Sequence, residues 1–177
     1  ADMQRIVQAF SNIVVNAVKF TPDGGKIEIS GSIVEKPDED TDHVLITIKD
    51  NGVGIHPQDR ELIFQKFYRG FDPQLHSTGS YKFMGAGPGL GTTIAKGIIE
   101  GHGGKIWVES PGHDVKAFPG STFYISMPIN PPEDARRVLL EGSESSDDQK
   151  TSEIPPVTVE HVAVVLGDVE STNKSSP

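Results

Sequence analysis

Between residues 3 and 20 the apolar positions recur at helical spacing, with Phe10, Val14 and Ala17 on one flank and Ile13 and Phe20 on the other. This period predicts an α-helix. It stops at "TPDGG", where a proline and two glycines turn the chain. The pattern then shifts to a period of two. "KIEISGSIVE" (26–35) and "HVLITIKD" (43–50) alternate as strands do, on either side of the acidic loop "KPDEDTD". A glycine-punctuated loop, "DNGVGIHP", leads to a short helix over 57–67 that has Pro57 at its start and Asp59 in its first turn. Residues 68–89, "YRGFDPQLHSTGSYKFMGAGPG", show neither period and read as a long loop. Glycines open and close one more helix, "GLGTTIAKGIIEGHGG". Two strands follow, "KIWVES" (105–110) and "STFYISMP" (121–128), joined by the hairpin-like connection "PGHDVKAFPG". This order predicts an α/β fold: a two-layer sandwich of a mixed, largely antiparallel sheet with about three helices on one face and a long loop.

Past Pro128–Asn130 the patterning stops. Ten acids and four bases follow Pro131, so the tail carries −6 of the total charge of −9. "EGSESSDDQKTSEIPP" has almost no apolar content to offset its ordering entropy. We therefore divide the chain into a folded domain, 1–130, and an acidic, largely disordered tail, 131–177. Within the tail "PEDARRVLLEG" could form a short helix, and "VTVEHVAVVLGDV" a strand or a docking segment. No internal repeat is visible.

The 177 residues suffice for one domain with a real core. There is no cysteine, which excludes disulfides, thiolate metal sites and a thiol nucleophile. The acidic balance argues against a nucleic-acid surface. No apolar run approaches the roughly 18 residues of a membrane span, and no signal peptide opens the chain, so this segment is expected to make no membrane contact. The helical pattern already runs at the first residues, which points to a start inside a larger polypeptide.

Candidate chemistry sits in three segments. Gln8, Asn12, Asn16 and Lys19 fall on one face of the first helix. Asparagine is a mediocre helix former, so this face is either simply solvated or turned towards a ligand that needs amide oxygens and a positive charge. Asn oxygens suit Mg²⁺, which borrows its remaining ligands from water and phosphate, and Lys19 suits a phosphate. "DNGVGI", residues 50–55, sets a carboxylate at a strand end before two glycines, which lets the backbone approach a planar ligand; alone, "DNG" reads first as a plain turn signal. "GAGPGLG", residues 85–91, opens a helix and could offer N–H groups to phosphate, or be a flexible hinge. It is neither a dinucleotide fingerprint nor a Walker loop.

Taken in order, the segments are far more specific. The sequence resembles the ATP-binding catalytic domain of sensor histidine kinases, in the superfamily shared with gyrase, Hsp90 and MutL. "NIVVNAVKFTP" is similar to its N box, "DNGVGI" to G1, "IFQKFYRG" to the F box, "GAGPGLGTTIAKGIIEGHGGKIWVES" to G2 and "GSTFYISMP" to G3. The resemblance covers about residues 2–128. It implies ATP and Mg²⁺ as cofactors, with Asn16 on the metal, Asn12 beside it, and Lys19 and Arg69 reaching the phosphates. Asp50 would bind the adenine amine, Gly52 and Gly54 would shape the pocket floor, Phe20 and Ile55 would line the base, and Thr122 would sit near the adenine. Phe64 and Phe67 would anchor the loop that runs to Met84, the family's ATP lid. Gly87, Gly89, Leu90 and Gly91 would hinge that lid and carry phosphate contacts.

The sequence departs from the family at Pro88, which lacks an N–H. It departs again at Thr92 and Thr93, which replace an apolar pair and are expected to loosen packing, and in the missing strand before the first helix. Asn12 stands where the gyrase-like ATPases carry a glutamate base, which disfavours hydrolysis and favours an imidazole acceptor. None of the six histidines matches the family's phosphoacceptor motif; His102 falls where it can satisfy a helix C-terminus. The implied function is transfer of the ATP γ-phosphoryl group to a histidine on a separate dimeric helical domain of the same protein, and thence to a response regulator. The implied setting is cytoplasmic, with a parent protein that is free or membrane-anchored. The alternative is an ATP-sensing or docking module without transfer activity.

Overall fold

The computed structural model describes residues 2–36, 41–68 and 89–130. The expected lid, including Arg69, Met84, Gly87 and Pro88, lies outside the described residues, as does the tail from 131.

Helix α1 (Met3–Phe20) starts at Asp2, whose side chain accepts from the Arg5 N–H at 3.3 Å. It ends at Thr21, which is extended because the following Pro22 disfavours helical geometry there. Ala9, Ile13 and Ala17, four residues apart, form its buried face. Two alanines in that row let helix α2 (Gly91–Glu100) lie close, and α2 buries Thr92, Ala95, Ile98 and Ile99.

Strands β1 (Ile27–Val34), β2 (His43–Asp50), β3 (Lys105–Glu109) and β4 (Ser121–Pro128) form one sheet in the order β1-β2-β4-β3. Every pairing in it is antiparallel, so the parallel component expected from sequence does not occur among the described residues. Ile48 pairs with Ile29 on one side and Phe123 on the other, and Phe123 with Val108, which carries one apolar row across the sheet. Ile13, Ile48, Val53, Ile99 and Ile125 are each less than 2% exposed. Burying such a side chain contributes about 1.5–3 kcal/mol, which makes this helix–sheet interface the main source of stability. Trp107 and Tyr124 stack on the outward face, 5.1 Å between centroids.

The helix expected over 57–67 is instead two 3₁₀ turns, Pro57–Asp59 and Leu62–Phe64. Side-chain bonds hold the segment in place of an α-helical ladder. Arg60 donates to the Ser110 carbonyl, Tyr68 donates to Asp59, and Phe64 enters the core edge-on to Phe123. His102 behaves as its place in the sequence suggested. Its Nε2 lies 3.0 Å from the Asp2 N–H, which can only donate, so Nδ1 carries the ring hydrogen and donates to the Ile98 carbonyl at 2.7 Å. One imidazole thus ties the start of α1 to the end of α2.

Candidate functional site

The polar face of α1 is half-buried at Asn12, Asn16 and Lys19, whereas Gln8 is exposed. Two segments close on it. At Asn12 the start of α2 comes within contact distance: a Cβ placed on Gly91 would lie 3.8 Å from the Asn12 Cβ. At the other end the Phe20 carbonyl accepts the Val53 N–H at 3.0 Å. From Asn12 to Phe20 the helix rises about 12 Å. The face is therefore framed by a helix N-terminus at one end and a glycine loop at the other.

That loop begins at Asp50, the last residue of β2, which is 6% exposed. Its Oδ1 accepts from the Gly52 N–H at 2.9 Å and the Ser121 N–H at 3.2 Å. Both donors share Oδ1, and among the described residues no bond is made to Oδ2. Burial pushes the carboxyl up to about 6 from 3.8, against the opposing pull of the two backbone N–H groups. At neutral pH Asp50 is thus a poorly solvated carboxylate with one oxygen free to accept.

Gly52 is required by contact. An added Cβ would stand 2.1 Å from the Phe20 carbonyl oxygen, the acceptor that holds Val53. Gly54 is in the left-handed region, φ +73°, and its Cβ would fall 2.0 Å from the Gly112 carbonyl. We expect Gly52→Ala to prise the loop from α1 at a cost of about 1–3 kcal/mol. Urea denaturation checks this, and an unchanged midpoint would refute the contact.

Of the residues expected to act together, Asn12, Asn16, Lys19 and Phe20 share α1, and Asp50, Gly52, Gly54 and Ile55 share the loop packed at its end. Gly89, Leu90 and Gly91 lead into α2 beside Asn12. Thr122 is not brought to Asp50. The register pairs Asp50 with Ser121 and Thr122 with Lys49, on the opposite face of the sheet. Phe123 and Ile125, the large apolar residues of β4, already mark the inward phase, and counting back from them by twos reaches Ser121.

Phe67 does not anchor by its side chain, which is 71% exposed. Its backbone does so instead: in a left-handed conformation, φ 63°, its N–H donates to the Gly89 carbonyl at 3.1 Å and joins the two ends of the 69–88 stretch. Thr92, expected to loosen the start of α2, is buried and donates its hydroxyl to the Ile63 carbonyl, tying α2 to the second 3₁₀ turn. Among the described residues the buried Thr93 hydroxyl has no partner.

Comparison with known proteins gives this geometry a family. Residues 1–131 match the model of the histidine kinase-, DNA gyrase B-, and HSP90-like ATPases. The chain is 43% identical over 131 residues to the phytochrome-like protein Cph1 of Synechocystis, covering 73% of this chain and 15% of that one. It spans 16% of the sensor histidine kinase WalK of Bacillus subtilis, at 36% identity over 62% of this chain. The mycobacterial sensor histidine kinase MprB has a solved structure that superposes with a TM-score of 0.54 at 29% identity, over 75% of each chain. Full-length ShkA, solved in complex with AMPPNP, gives 0.52 at 25% identity, over 75% of this chain and 23% of that one. With the family model covering the whole described region, this chain belongs to the histidine kinase-, DNA gyrase B- and HSP90-like ATPases, and its fold is the catalytic-domain fold of sensor histidine kinases.

Proposed function

We propose that this domain binds Mg-ATP along the polar face of α1 and donates the γ-phosphoryl group to a histidine on a separate dimeric helical domain of its own protein, for relay to a response regulator. The observation that carries the proposal is the Asp50 carboxylate: buried, fixed through Oδ1 by two backbone N–H groups, and left with Oδ2 to accept. Such a group suits an exocyclic amine, since the carboxylate is poorly solvated and Oδ2 keeps its lone pairs for a donor. The AMPPNP complex of ShkA supports a nucleotide in this frame.

In this reading Asp50 orients the base, with Gly52, Gly54, Ile55 and Phe20 forming its walls. Ser121, rather than the Thr122 expected near the adenine, is the strand residue that bonds the carboxylate. Lys19 and the N–H groups at Gly89, Leu90 and Gly91 meet the phosphates, and Arg69 belongs with them. Among the described residues no three His, Cys, Asp or Glu side chains gather into a cage for a metal. A neutral amide oxygen at Asn16 fits Mg²⁺, because this ion takes most of its ligands from water and phosphate. The ion would supply charge neutralisation at the phosphates. Asn12 cannot take a proton, so the acceptor must bring its own lone pair, as a neutral imidazole does.

Calorimetric titration of the 177-residue chain with Mg-AMPPNP is expected to show micromolar binding. ADP should be preferred over inosine diphosphate by about tenfold or more, because inosine presents a carbonyl to Asp50 in place of an amine. Absence of binding would overturn the proposal. Adding the helical domain and ATP should then yield phosphohistidine, whereas a nucleotide-sensing module would bind and transfer nothing.

A further inference from the structure

The loop that would form the base pocket is held from outside, by the connection between β3 and β4. The Gly52 carbonyl accepts from the Gly120 N–H at 2.9 Å, and the Val53 carbonyl from the Asp114 N–H at 2.8 Å. The Gly54 carbonyl meets His113 Nδ1 at 3.1 Å. The last link is made by Ser110, which directly follows β3 and is 5% exposed. Its Oγ accepts from the Ile55 N–H at 2.9 Å and lies 2.7 Å from the Gly120 carbonyl and 2.9 Å from that of Gly112. One hydroxyl therefore joins three segments: the exit of the 52–55 loop, the turn after β3 and the turn before β4. The Ser110 carbonyl is in turn held by Arg60 Nη2 at 2.5 Å.

We propose that Ser110 is a positioning residue for nucleotide recognition: its hydroxyl fixes the height of the 52–55 loop beneath the base and so sets affinity and base selectivity. This inference rests on the nucleotide reading above. A hydroxyl serves here because it accepts one bond and donates another at the same atom, which no apolar side chain of that size does. The hydroxyl packs closely on the loop it holds: a Cβ on Gly54 would stand 3.0 Å from this oxygen. Removing the oxygen leaves a void too small for water, so the Ile55 N–H loses its partner and the loop shifts to find another.

The test compares ADP with inosine diphosphate in binding to the full chain and its Ser110 variants. A purely structural loss lowers the folded fraction and weakens both ligands equally, leaving their ratio unchanged. Displacement of the loop lowers the ratio itself. Ser110→Ala is expected to weaken ADP binding about tenfold and to reduce the ADP preference at least about threefold. Ser110→Thr, which keeps the hydroxyl, should restore both. An unchanged ratio in the alanine variant, or no rescue by threonine, overturns the proposal. Should the alanine variant melt below the assay temperature, Ser110→Cys reads the same ratio, because a thiol is a weak acceptor; a wild-type ratio there overturns it equally. Failure of the unaltered chain to bind ADP would instead sink the nucleotide reading, which separates the two.

Discussion

Replacing Asp50 with asparagine is expected to stabilise the empty protein and to disable its nucleotide site. The substitution keeps an oxygen for the Gly52 and Ser121 N–H groups, both of which bond Oδ1 in the native protein. It removes a charge that burial disfavours. Because burial raises the folded-state carboxyl to about 6 from 3.8, ionisation of Asp50 costs stability at neutral pH. As pH falls through about 6 the folded protein takes up a proton that the unfolded chain takes up only near 3.8, so this cost fades across that window and vanishes below it. Asparagine removes it at every pH, a gain on the order of 1–3 kcal/mol near pH 7.5 that shrinks towards pH 4. Binding moves the other way. The new amide donor faces the adenine amine, donor against donor, and affinity for ADP should fall about a hundredfold. The unaltered protein should itself bind ADP more weakly as pH drops below about 6, where the carboxylate is lost. Urea unfolding at two pH values, beside calorimetry, checks all of this. A variant less stable than wild type at pH 7.5, or one that binds ADP normally, would refute the role of Asp50.

The same residue illustrates what the sequence could reveal. Periodicity sufficed for α1, for both strands of the first hairpin and for the final pair, since Ile27/Ile29 and Val44/Ile46/Ile48 alternate cleanly and Ala9/Ile13/Ala17 recur by fours. Asp50 was legible because it ends such a strand and precedes Gly-x-Gly. Its partner was not, since strand pairing is a tertiary fact, yet the inward phase of Phe123 and Ile125 was available to exclude Thr122. The 57–67 helix was misjudged for a different reason. Its apolar spacing suits a helix, but the segment's polar groups find partners outside it, in Ser110, Tyr68 and Thr92, and two 3₁₀ turns accommodate those bonds. The resemblance made Phe67 an anchor of the loop that follows it, whereas its exposed ring and left-handed backbone go with the closure onto Gly89. Ser110 carried no local signal. A serine that ends a strand is ordinary until the turns it joins are brought together.

Asn16→Ala should remove phosphoryl transfer while leaving the fold and the base end of the site intact. Asn16 is half-buried on the polar face of α1, away from the Ala9/Ile13/Ala17 row that packs against the core, and alanine is the better helix former. Thermal stability is therefore expected to hold or rise slightly. If Asn16 supplies the protein's ligand to Mg²⁺, the affinity for ADP measured in EDTA should match that of wild type, and the increment gained by adding Mg²⁺ should disappear. This contrast is independent of turnover and of the acceptor domain. With that domain supplied, transfer from Mg-ATP should drop by about a thousandfold or more, because charge neutralisation at the γ-phosphate carries most of the rate in such reactions. Asn16→Asp separates geometry from charge. It keeps an oxygen at the same position but sets a full negative charge beside the phosphates, so some metal dependence should survive while nucleotide affinity falls. Transfer within tenfold of wild type in the alanine variant, or an undiminished Mg²⁺ increment, would remove Asn16 from the metal. The polar face of α1 would then owe its asparagines to solvent.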